Sequence, residues 1–101
     1  MLYIKTIDIP DNQIILGCHS MPDQDIFFNL IKETFEKEFT IQETNVGADR
    51  WQVRMTWQHA HWVLNFDEYS DSLWIEAADP QSAQKFPLLI EKLANYFPAT
   101  Y

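Results

Sequence analysis

RWQVRMTWQHAHWVLNFDEYSDSLWIEAA, residues 50 to 78, is the stretch whose pattern decides the fold. In its first part Trp51, Val53, Met55 and Trp57 take every second position, and Arg50, Gln52, Arg54 and Thr56 take the others. Neighbouring side chains on a strand point to opposite faces, so this alternation describes a strand with one buried and one wetted side. Trp62, Leu64 and Phe66 repeat it in a second strand, His61 to Tyr69, and Trp74 lies among Leu73, Ile75 and Ala77 in a third, Ser72 to Ala78. Ser70 and Asp71 are turn residues between the second and third strands, whereas Gln58-His59-Ala60 carries no glycine or proline to mark its turn. All four tryptophans fall in this stretch. At least two are expected in the core, with Trp57 or Trp74 partly exposed beside an acidic loop.

Working outward, Leu2 to Ile9 and Gln13 to His19 flank the turn signal Pro10-Asp11-Asn12 and read as a hairpin. Gly17 interrupts the second of these strands, where a bulge is expected. Ser20 or Asp23 caps a helix that should run to about Phe39, with Ile26, Phe27, Leu30, Ile31 and Phe35 as its apolar stripe. Thr40 to Thr44 is a short strand expected to pair with the first tryptophan strand. Asp79-Pro80 opens the last helical region, and Pro87 divides it into a short piece and a restart toward Phe97. There Phe86, Ile90, Leu93 and Phe97 form the expected buried stripe, with Leu89 and Tyr96 at its margins. The order β-β-α-β-β-β-β-α has too few helices for strand-helix crossovers. It predicts one α+β domain, a two-layer sandwich with a mainly antiparallel sheet and two helices on one face. The other face is expected to keep Gln52, Arg54, Thr56, Asn65 and Asp67 in water, or to form a homodimer surface if tryptophans point that way.

The 101 residues carry 15 acidic and 7 basic side chains, a formal charge of -8. Such a field repels a phosphate backbone, so direct nucleic-acid binding is not expected. Between Met55 and Gln84 there is no Lys or Arg, while Asp67, Glu68, Asp71, Glu76 and Asp79 all lie there. A single cysteine, Cys18, permits no internal disulfide and fits a reducing, cytoplasmic setting. No run of eighteen apolar residues suggests a membrane span.

No catalytic signature is present. His59 and His61 have the spacing of strand ligands, and Cys18 and His19 would be further donors, but no C-x-x-C or H-E-x-x-H pattern accompanies them. Gly17 and Gly47 are too far apart for a phosphate-cradling loop. No cofactor is therefore expected. Asp67 and Glu68, adjacent on a strand, point apart rather than across a substrate.

Phe66-Asp67-Glu68-Tyr69-Ser70-Asp71-Ser72-Leu73-Trp74-Ile75-Glu76 resembles the most recognisable part of a family of small uncharacterised bacterial proteins, a domain of unknown function of about this length. The resemblance implies a bacterial cytoplasmic protein and assigns no activity. From the charge distribution, the expected function is non-enzymatic: an adaptor-, chaperone- or immunity-like domain that binds a basic protein surface through Asp67, Glu68, Asp71, Trp74, Glu76 and Asp79. The alternative is a small-molecule or metal site built from Cys18, His19, His59 and His61.

Overall fold

A computed structural model describes residues 2–18 and 23–97. The alternating stretch forms β4 (Arg50–Trp57), β5 (Ala60–Asp67) and β6 (Ser72–Ala77), preceded by β1 (Leu2–Asp8), β2 (Gln13–Cys18), α1 (Gln24–Phe35) and β3 (Thr40–Val46). Two helices follow, α2 (Pro80–Ala83) and α3 (Phe86–Tyr96). The strands form one antiparallel sheet in the order β1-β2-β6-β5-β4-β3, so the overall class is α+β. The hairpin and the meander join where β2 pairs with β6, Ile14 opposite Ile75 and Leu16 opposite Leu73.

One sheet face supplies the core. Ile14 and Leu16, Leu73 and Ile75, Trp62, Leu64 and Phe66, and Trp51, Val53 and Met55 are buried in one cluster with Phe27, Ile31 and Phe35 of α1 and Phe86, Leu89 and Leu93 of α3. Aromatic rings seat α1 along β4. Phe27 lies 5.2 Å from Trp51 and 5.6 Å from Phe66, while Phe39, just beyond the helix, stacks on Trp57 at 5.4 Å. The helix therefore runs from the Trp51 end of the sheet toward the Trp57 end.

Several details depart from the sequence-based expectation. The Asp23 carboxylate accepts from the Ile26 amide and caps α1, but the helix stops at Phe35, because the chain must turn before β3 begins at Thr40. Ile26 is 56% exposed and leaves the expected stripe. Pro87 occupies the first turn of α3, where its missing amide proton removes no helical bond, and the last region divides there into two helices, as expected. In α3 Leu89 is buried and Ile90 half-buried, the reverse of the expected order. The Ser20 alternative for the cap lies outside the described residues.

Gly17 is not a bulge. It pairs in register with Tyr3, and a side chain on Gly17 would collide with the Tyr3 ring. The sheet's register shifts fall instead at Lys5 in β1 and Gln42 in β3, on both edge strands. Bulges at an edge disrupt the row of free backbone groups that would recruit another strand.

Candidate functional site

The sheet face away from the core carries the alternate residues: Arg50, Gln52 and Arg54 on β4, Val63, Asn65 and Asp67 on β5, Trp74 and Glu76 on β6, and Gln13 and Ile15 on β2. Expected to be wetted, Asn65 is instead 1% exposed. Its oxygen accepts from Gln52 Nε2 at 2.8 Å, and its amide donates to Glu76 Oε1 and to the Val63 carbonyl, both at 3.4 Å. Gln13 Nε2 donates to the other Glu76 oxygen at 3.0 Å. A hydrogen-bonded row thus crosses four strands, which is how a buried amide is tolerated here.

Trp74 stands on this face beside Asn65, half-buried, with the Arg50 guanidinium 5.9 Å from its ring centroid. Arg50 Nη2 also lies 3.5 Å from Asp67 Oδ2. Trp57 is likewise half-buried, whereas Trp51 and Trp62 are core residues.

The six residues expected to meet a partner divide by position. Asp67 closes β5, Glu68 and Asp71 lie in the following turn, and Trp74 and Glu76 lie on the uncovered face. Asp79 sits beyond the opposite end of β6 as the cap of α2, accepting from the Ser82 amide at 2.6 Å. That backbone bond, chiefly, holds the Asp79 carboxyl below its usual range. The Ser82 hydroxyl and the charge of His61 add to the effect, and desolvation opposes it. Ser82 is buried, and its oxygen accepts from the His61 backbone amide at 2.8 Å, tying α2 to β5.

Around Glu68 and Asp71 the fold gathers side chains from three separated segments. The Glu68 amide donates to the Asp49 carbonyl at 2.7 Å, joining the β5–β6 turn to the β3–β4 loop. Because Phe27 packs on Trp51 and Phe66, the start of α1 brings Asp23 and Asp25 to the same end. Of the exposed large apolar residues described, Tyr69 (90%), Ile26 and Val46 also lie at this end. It is an acidic surface with apolar side chains standing among the carboxylates, and its arginine, Arg50, is engaged by Asp67.

His59 and His61 lie elsewhere. Gln58 and His59 form the two-residue β4–β5 turn, both with positive φ (56° and 59°), and Lys85 Nζ donates to the Gln58 carbonyl. His59 and His61 line a shallow depression of about 440 Å³ with Glu38, Thr40, Thr56 and Trp57. Cys18 ends β2 at the opposite end of the sheet, and His19 lies outside the described residues. Among the described residues, no three His, Cys, Asp or Glu side chains come together to hold a metal ion. A separate cleft of about 470 Å³ between α1 and β3 is lined by Phe28, Ile31, Phe39, Ile41 and Val53, with Lys32 and Glu36 at its border. No helix among the described residues is long and apolar enough to cross a membrane.

The molecule is an α+β domain with an antiparallel six-stranded sheet. It belongs to the family described as Protein of unknown function (DUF3630), whose pattern matches residues 2–95. No curated protein and no solved structure matches the chain.

Proposed function

We propose that this protein is a non-enzymatic interaction domain of a bacterial cytoplasm, adaptor-, chaperone- or immunity-like, whose acidic end receives a basic protein surface. The observation that carries the reading is Tyr69, 90% exposed between Glu68 and Asp71, with Ile26 and Val46 exposed at the same end. Carboxylates alone would serve solubility. Aromatic and aliphatic side chains held in water among them match a partner that presents Lys and Arg around an apolar patch. Asp67, Glu68 and Asp71 supply charge at this end, Asp49 extends it, and Trp74 and Glu76 adjoin it on the sheet face.

The test is a nuclear magnetic resonance titration with two amphipathic helical peptides of one apolar pattern, one bearing lysines and the other glutamates. The lysine peptide is expected to shift amides of Ile26, Val46, Asp49, Glu68, Tyr69 and Asp71 at low salt, and to lose affinity as salt rises. Equal response to both peptides, or shifts centred elsewhere, would overturn the proposal.

A further inference from the structure

On the helix side the sheet is not covered to its edge. Val46 lies opposite Trp51, Thr44 opposite Val53 and Ile41 opposite Met55, so all three β3 residues share the core face with their β4 partners. The partners are buried, yet Val46 is 54% exposed, Thr44 is exposed and Ile41 only half-buried. Width accounts for the difference. Six strands about 4.8 Å apart span about 29 Å, whereas α1 and α3, each about 10 Å across, cover about 20 Å. Because Phe27 sits on Trp51 and Phe66, α1 lies over β4 and β5, and the shortfall, close to a helix diameter, falls on β3. The cleft of about 470 Å³ is that space, walled by Phe28 and floored by Ile41, Thr44 and Val53.

We infer that this cleft seats an amphipathic, lysine-bearing helix of the protein partner, laid beside α1 as a further member of the helix layer. The inference rests on the proposed basic partner and specifies the element by which it docks. A strand would not serve there: over the sheet face its backbone groups would find no partners, and beside β3 it would meet the bulge at Gln42. A helix satisfies its own backbone and needs only an apolar stripe. Phe39 and Thr40 line the cleft where the chain returns from α1 into β3, and its other end opens at Val46 onto the acidic end. Charge favours a cation. Asp25, Asn29, Lys32 and Glu36 recur every three or four residues along the flank of α1 beyond Phe28, and Asp49, Glu68 and Asp71 follow at the open end. None of these carboxylates has an ion-pair partner among the described residues. β3 is about 23 Å long, which a helix of about 15 residues matches.

A peptide of about 15 residues, with leucines spaced three and four apart and lysines between them, is the probe. Nuclear magnetic resonance of its complex with the whole chain should show the peptide helical, with Overhauser contacts from its leucine methyls to Phe28, Ile41 and Val53. Thr44→Lys should weaken binding about tenfold, because the new charge meets the peptide's lysines on the cleft floor. Asn45→Lys adds the same charge on the opposite face, outside the cleft, and should change the affinity by less than about twofold. Both positions are exposed, so both variants keep the fold. Equal weakening by the two variants, cleft contacts that survive a proline in the middle of the peptide, or binding at Glu68, Tyr69 and Asp71 without cleft contacts would overturn the inference. The last result leaves the acidic docking end standing, whereas absence of binding at either place removes both.

Discussion

The Asn65 amide and the Glu76 carboxylate meet at 3.4 Å on the sheet face opposite the described helices, and Asn65 is almost fully shielded from water. It lies opposite Trp74 in the register and is hydrogen-bonded to Gln52 on one side and Glu76 on the other. Asn65→Leu keeps the volume and removes the central amide, leaving Gln52 without its acceptor and Glu76 Oε1 without its donor, while Gln13 still donates to Glu76 Oε2. An unmade bond of this kind costs about 1–3 kcal/mol. Urea unfolding should show a loss in that range, and an unchanged midpoint would mean that the row is incidental.

The β4–β5 turn stores strain that a substitution can release. Gln58 and His59 both adopt positive φ without being glycine, a conformation costing about 1–2 kcal/mol per residue for ordinary side chains. Asn-Gly is the pair this two-residue turn prefers. The double change Gln58→Asn and His59→Gly should stabilise the fold by about 1–2 kcal/mol, and each kcal/mol raises the melting temperature by about 4–8 °C in a domain of this size. Thermal melts followed by circular dichroism measure it.

Gly17 and Tyr3 form a coupled pair. Gly17→Ala should displace the Tyr3 ring and destabilise the sheet by about 1–2 kcal/mol. With Tyr3→Ala already in place, the same change should cost much less. A double-mutant cycle in urea checks this, and additive effects would contradict the contact.

The main elements were legible in the sequence because their signals are local. Trp51, Val53 and Met55 alternate with polar residues, Asp23 and Asp79 stand where caps belong, and Pro87 marks a helix start. What stayed hidden depends on residues far apart in the chain. The β2–β6 pairing is set by two apolar faces meeting, which no periodicity specifies. Asn65 reads as a wetted residue until the fold brings Gln52 and Glu76 to its amide. The run from Asp67 to Asp79 pointed toward one acidic surface. The fold instead joins its first part to Asp49 and the start of α1, and uses Asp79 as a cap at the opposite end. Nothing in the turn chemistry announced Gln58-His59 as a tight hairpin.

Asp79 makes stability depend on pH in a defined direction. The Ser82 backbone amide holds its carboxyl below the usual aspartate range, so the folded state favours the charged form. The stabilisation is therefore complete above the pKa of an unfolded aspartate and is lost as pH falls through the lower folded one. Asp79→Asn keeps an acceptor for the Ser82 amide but cannot titrate, so its stability should fall less steeply on acidification than the wild type. Urea midpoints between neutral and strongly acidic pH would show the two curves converging, whereas parallel curves would contradict the cap's role.

The interaction function is tested most directly by comparing capture of a binding partner from the source cell by the wild-type chain, by Glu68→Lys/Asp71→Lys, and by Tyr69→Ser. Tyr69 touches so little that its replacement should leave stability within about 0.5 kcal/mol. The expected result is a basic protein retained by the wild type at low salt, released at high salt, and lost in both variants while their melting curves stay intact. A partner held equally by all three chains, or held unchanged at high salt, would contradict an acidic docking end.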